Sequence, residues 1–93
     1  MYKIFYVTAV KKDIKDLSDK VKLLIDDNLL VLAKNPFAGK FLHGEFKGYF
    51  SYSFSSQGTE YRIIYQVLKN ELIVLIIMIG SRENLYRRLR GRV

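Results

Sequence analysis

Residues Leu72 to Ile79 read LIVLIIMI, eight apolar side chains without a break. Such a run has to be buried on both sides, yet it is far shorter than the roughly twenty residues a bilayer-spanning helix needs. Its length and β-branched content make it a strand lying centrally in a sheet. The segments before it supply the neighbours. Tyr49 to Ser55 alternates strictly, with Phe50, Tyr52 and Phe54 on one face and Ser51, Ser53 and Ser55 on the other. Ser56-Gln57-Gly58-Thr59 forms a turn into a second strand, Tyr61 to Leu68. Lys69-Asn70 then turns the chain into the third, Glu71 to Ile79. Connections this short force antiparallel pairing.

Upstream the period changes. After a short strand at Lys3 to Val7, Thr8 is placed to cap a first helix. There Val10, Ile14 and Leu17 repeat at helical spacing, and Lys11, Lys12, Asp13, Lys15 and Asp16 face water. Ser18 is placed to cap a second helix striped by Val21, Leu24, Ile25, Leu29 and Leu32, which Asn35-Pro36 ends. Asn35 to Gly48 reads as a loop, and Glu83 to Arg90 as a short final helix. The predicted fold class is α+β: an N-terminal strand and a helical hairpin packed on one face of a small antiparallel sheet, with a short C-terminal helix. Residues 1–93 are too few to divide, since halves of about 45 residues would not be stable alone. With no cysteine and one histidine, the chain has no disulfide and no thiolate zinc site. Apolar packing must hold the fold, and neither a metal nor a cofactor is expected. The polar start, Met1 to Val7, does not read as a signal peptide, so a cytoplasmic protein without a membrane segment is expected.

The net charge of +7 is unevenly placed. Residues 1–35 hold seven Lys and five Asp, while residues 36–93 hold three Lys, six Arg and four Glu. Five of the six arginines fall between Arg82 and Arg92, beside the single acid Glu83. The lysines of the first half read as a solvated surface. The arginine-rich tail reads as a site for phosphate or carboxylate, because the planar guanidinium binds both in a fork geometry. Arg62 sits among apolar strand neighbours; it either pairs with Glu60 or Glu71 or serves a ligand.

Pro36-Phe37, Leu42-His43-Gly44, Gly48-Tyr49-Phe50, Tyr61-Arg62-Ile63-Ile64-Tyr65 and Ile79-Gly80-Ser81-Arg82-Glu83-Asn84-Leu85-Tyr86, in this order and over nearly the whole chain, resemble the RelE/ParE toxin family. The resemblance implies a RelE/ParE-like fold of the microbial-RNase kind. It also implies a toxin of a type II toxin–antitoxin system that cuts messenger RNA in the ribosomal A site without a metal: the ribose 2′-hydroxyl attacks the adjacent phosphate, leaving a cyclic phosphate and a free 5′-hydroxyl. Arg62 and Arg82 match the family's phosphate-facing arginines and Tyr86 its terminal tyrosine. Ser51 and Ser53 stand where RelE toxins usually carry basic residues, and Ser81 where many carry histidine or lysine. The substitutes on offer are His43, the one side chain with an intrinsic pKa near neutrality, and Glu45. Lys40, Lys47, Arg87, Arg88, Arg90 and Arg92 are expected to contact RNA. The missing strand cations leave open a ParE-like toxin acting on DNA gyrase, or a RelE-like binding module without nuclease activity. Under either toxin reading the partner is a cognate antitoxin, docked in a groove between the helical hairpin and the sheet to form a hetero-oligomer.

Overall fold

A computed structural model describes residues Met1–Val93. Its elements follow in the order β1 (Lys3–Tyr6), α1 (Ala9–Lys15), α2 (Asp19–Lys34), β2 (Lys40–Phe41), a 3-10 turn (Gly44–Phe46), β3 (Phe50–Ser56), β4 (Thr59–Leu68), β5 (Ile73–Ser81) and α3 (Leu85–Arg92). Ser18 caps α2 as predicted, its hydroxyl accepting the Val21 N–H at 3.2 Å. Thr8 does not cap α1. Its backbone is already helical, at φ −55° and ψ −37°, whereas a capping side chain needs the extended conformation to reach the free N–H groups.

The five strands form one sheet in the order β1-β5-β4-β3-β2. β3, β4 and β5 pair antiparallel. Gln57 and Gly58 turn β3 into β4 at φ +50° and +81°, the left-handed pair that a two-residue hairpin requires. β1 lies parallel to β5, so the sheet is mixed rather than wholly antiparallel. Parallel partners need a long connection, and the helices and strands between β1 and β5 provide one. β2 lies inside the segment read from sequence as a loop; two residues carry no periodicity to detect.

On one face, Val10, Val21, Ile25 and Leu32 of the helical hairpin pack directly on Ile63, Tyr65, Val74, Ile76 and Ile79, joined by Phe50, Tyr52 and Phe54. Burying each such side chain stabilises the fold by roughly 1.5–3 kcal/mol. This interface is filled by the molecule's own side chains. Tyr65 is fully buried here; its hydroxyl accepts the Gly39 N–H at 3.0 Å and donates to the Pro36 carbonyl at 2.8 Å, pinning the chain that leaves α2. On the opposite face, Leu85 and Leu89 of α3 together with Phe46 cover Ile64, Ile77 and Met78.

β5 carries a bulge that shapes the site. Ile64 pairs with Met78 and Tyr65 with Ile76, leaving Ile77 without a partner across β4. Ile77 and Met78 therefore both turn under α3, and the strand end is reset so that Gly80 lies opposite Arg62. No helix of the fold is long and apolar enough to cross a membrane.

Candidate nucleic-acid site

The two-residue period of β4 places Glu60 and Arg62 on one face. Pairing sets Ser53 and Gly80 on either side of Arg62. That face points toward α3. Arg62 Nε donates to Glu60 Oε2 at 2.8 Å and Nη1 donates to the Tyr86 hydroxyl at 2.8 Å. The guanidinium carbon also lies 5.8 Å from the centre of the Tyr86 ring, a cation–π distance. Tyr86 is steadied from the other side by Phe46, with ring centres 5.6 Å apart. The Arg82 N–H donates to the Glu60 carbonyl at 2.9 Å, which fixes the start of the loop beyond β5 beside the same residue. The Arg82 side chain itself is exposed and unpaired.

Glu60 is thus the centre of the cluster. The Arg62 hydrogen bond holds its carboxyl below the usual carboxylate range, and the charge of Arg82 and the Ser53 hydroxyl act in the same direction. It is ionised at neutral pH. Ser55, Thr59, Glu60, Ser81, Arg82 and Glu83 line an open depression of about 710 Å³ that contains no apolar side chain. The lining holds one cation, Arg82, two carboxylates, Glu60 and Glu83, and three hydroxyls, with Arg62 bound to Glu60 beside it.

Arg62, Arg82 and Tyr86, the three residues carried by the resemblance, are therefore brought together. The other sequence candidates are dispersed. His43 is exposed, its ring edge-on to Phe41 at 5.7 Å. The Glu45 carboxylate accepts from Arg90 Nε and Nη2 at 2.6–3.3 Å, and this pairing holds its pKa down. Lys40 lies on β2 opposite Ser51, and Lys47 follows the 3-10 turn; both are exposed. Arg87 and Arg88 are exposed on α3 without a carboxylate partner. The two serines at usually basic positions differ: Ser53 is exposed beside the cluster, whereas Ser51 is only 7 % exposed and its hydroxyl has no partner. A long cationic side chain at position 51 would have to displace that cover.

Two expectations are corrected. Arg92 is not free to contact RNA, and Asp13 does not face water. Arg92 Nη1 and Nη2 donate to Asp13 Oδ2 and Oδ1 at 2.6 and 2.9 Å, and Nη1 also donates to the Ile77 carbonyl at 3.0 Å. Asp13 Oδ2 further accepts the Ile79 N–H at 3.1 Å. β1 stops pairing at Ile76, so the outer edge of β5 beyond it presents open backbone groups. The Asp13–Arg92 clasp satisfies them and ties the end of α3 to α1. No sequence signal marks a pair this far apart. The sequence offers Glu60 only as an ion-pair partner of Arg62; the signal that places it at the site is strand periodicity, which puts residues two apart on one face.

The sequence profile of the family described as ParE-like toxin of type II bacterial toxin–antitoxin system matches residues 4–90. No curated protein gives a match. Among solved structures, the RelBE2 toxin–antitoxin complex of Mycobacterium tuberculosis is similar with a TM-score of 0.75 and 25% identity, covering 87% of this chain and 98% of that one. The RelE toxin of Escherichia coli, in a free arginine-substituted form, has a TM-score of 0.77 and 19% identity over 99% of this chain and 97% of that chain. The intact RelBE complex of the same organism has a TM-score of 0.73 and 20% identity, covering 89% and 99%. The two E. coli likenesses speak to the fold alone.

Proposed function

This chain belongs to the ParE-like toxins of type II bacterial toxin–antitoxin systems, and from that premise we propose that it is a ribosome-dependent messenger RNA endonuclease. The observation that carries the reading is the Arg62–Tyr86 hydrogen bond of 2.8 Å, with Glu60 bound to the same guanidinium at 2.8 Å. In-line cleavage forms a bond from the 2′-oxygen to phosphorus and breaks the bond from phosphorus to the 5′-oxygen. It needs an acceptor for the 2′-hydroxyl proton, a donor to the 5′-oxygen, and cations for the charge that builds on the phosphoryl oxygens. In this reading Arg62 and Arg82 hold the phosphate, ionised Glu60 accepts the proton, and the Tyr86 hydroxyl, polarised by Arg62, supplies the one the leaving oxygen takes up. A carboxylate with a depressed pKa is a weak base, so turnover depends on the ribosome holding the messenger in line. Glu45, engaged by Arg90, serves the fold. His43 is a contact for the RNA chain beside Lys40 and Lys47.

Arg87 belongs to the RNA-facing rim in this reading, whereas Arg90, expected to contact RNA, is held by Glu45. The neutralising partner is a cognate antitoxin with an acidic segment, since the exposed arginines offer it the same charge they offer RNA. A second reading, a toxin of DNA gyrase, draws on the serines at positions 51 and 53. Inducing the protein, mapping messenger 5′ ends and assaying gyrase supercoiling in parallel decides between them. Codon-phased cuts that vanish in Arg82→Ala support the endonuclease. Intact transcripts with supercoiling inhibited refute it in favour of gyrase.

A further inference from the structure

Gly80 lies on β5 directly opposite Arg62, its backbone facing α3. A methyl group added there would meet the Arg88 guanidinium, its Nη2 inside contact distance and its Cζ at 3.3 Å. Arg88 therefore reaches back from α3 and lies across the bare strand, over the residue that pairs with Arg62 and stands two residues before Arg82. Of the six arginines, Arg62, Arg90 and Arg92 each hold a carboxylate, whereas Arg88 holds none. Glu60 is already bound to Arg62, and Glu83 lines the depression without an arginine partner. Bringing an unpaired guanidinium up to a second cation opposes folding unless an anion comes to sit between them.

We propose that Arg88, seated over Gly80, is a third phosphate-binding cation of this site. It fills from the β5 side the role that Ser51 and Ser53 cannot fill from β3. The assignment rests on the site being built for RNA, and it does not depend on cleavage. Gly80 is then a positioning residue: its missing side chain is what lets the Arg88 guanidinium lie down. Its backbone dihedrals need no glycine, and what a side chain would displace is the free end of a flexible arginine.

The test uses the whole protein and a single-stranded RNA oligonucleotide methylated at every 2′-oxygen, which binds but cannot be cut by 2′-hydroxyl attack. Affinity is followed by fluorescence anisotropy against salt. One phosphate contact on a single strand contributes a salt slope of about 0.7, or about fivefold in affinity near 0.1 M salt. Arg88→Ala should lose that much slope and affinity, and Arg88→Lys should recover part of it. Gly80→Ala should melt at the wild-type temperature yet show the Arg88→Ala loss, and should add nothing in an Arg88→Ala background. An Arg88→Ala protein that binds like wild type overturns the proposal, as do losses from the two substitutions that simply add. Wild-type protein that ignores the probe at low salt overturns it as well. If binding behaves as expected while unmodified messenger on ribosomes stays intact, the phosphate site stands and the endonuclease reading falls.

Discussion

The C-terminal helix uses its arginines in two ways along its length. At its end, Arg92 is clasped by the nearly buried Asp13 and Arg90 by Glu45, so their charge is neutralised within the fold. A turn earlier, Arg88 has no carboxylate and lies over Gly80, the residue opposite Arg62. A basic tail is therefore not a uniform polyanion site. Arg92 fixes where the helix ends, and Arg88 faces the strand that the helix is held over. Sequence composition counts both kinds alike.

Substitutions at the two ends should therefore fail in different assays. Asp13→Ala should have the largest effect, because it strands the Arg92 guanidinium and frees the Ile79 N–H together. A loss of about 3 kcal/mol is expected, which would lower the melting temperature by on the order of 10–20 °C. Arg62→Ala should cut messenger cleavage about a hundredfold, close to 2.7 kcal/mol of transition-state stabilisation, with a smaller change in melting temperature than Asp13→Ala gives. Equal thermal losses from the two would erase the distinction between clasp and site.

Acid titration sharpens the same contrast. Glu60 has a folded pKa held below its unfolded value by the Arg62 hydrogen bond. Its contribution is therefore complete above the ordinary carboxylate value and is lost as pH falls through the depressed one. The acid limb of a pH–rate profile should lie below 4.5, the ordinary value for this group, and should be missing in Glu60→Gln. A limb centred near neutrality would exclude Glu60 as the proton acceptor. The smallest effect belongs to Arg90→Ala. Its pair with Glu45 is solvent-exposed, and such pairs contribute little, so thermal melting should be indistinguishable from wild type.

Much of the fold could be read from the residues, and the unread parts have physical causes. The Phe-Ser-Tyr-Ser-Phe alternation of β3 gave its faces directly, and the unbroken apolar run gave β5 its interior place. That same run hid the bulge at Ile77, because a strand apolar on both faces carries no period to be interrupted. Asp13 read as one more solvated charge in a lysine-rich helix; only the open edge of β5, known once β1 is seen to stop at Ile76, gives it a partner. At the site, Arg62, Arg82 and Tyr86 were legible through the resemblance, and Glu60 only as an ion-pair partner of Arg62. Arg88 was legible only as charge. Its position over Gly80 depends on the bulge that sets Gly80 opposite Arg62, and no local pattern encodes that register.

The separation at issue is between Arg62, Arg82 and Arg88 at the site and Arg92 in the Asp13 clasp. It is tested most directly by observing the Nε–Hε resonances of all six arginines by ¹⁵N–¹H NMR while the 2′-O-methylated RNA is titrated in. The account predicts shifts at Arg62, Arg82 and Arg88 that saturate together, with Arg92 unmoved at the Asp13 clasp. Shifts confined to Arg87 and Arg90, with Arg62, Arg82 and Arg88 silent, would contradict it.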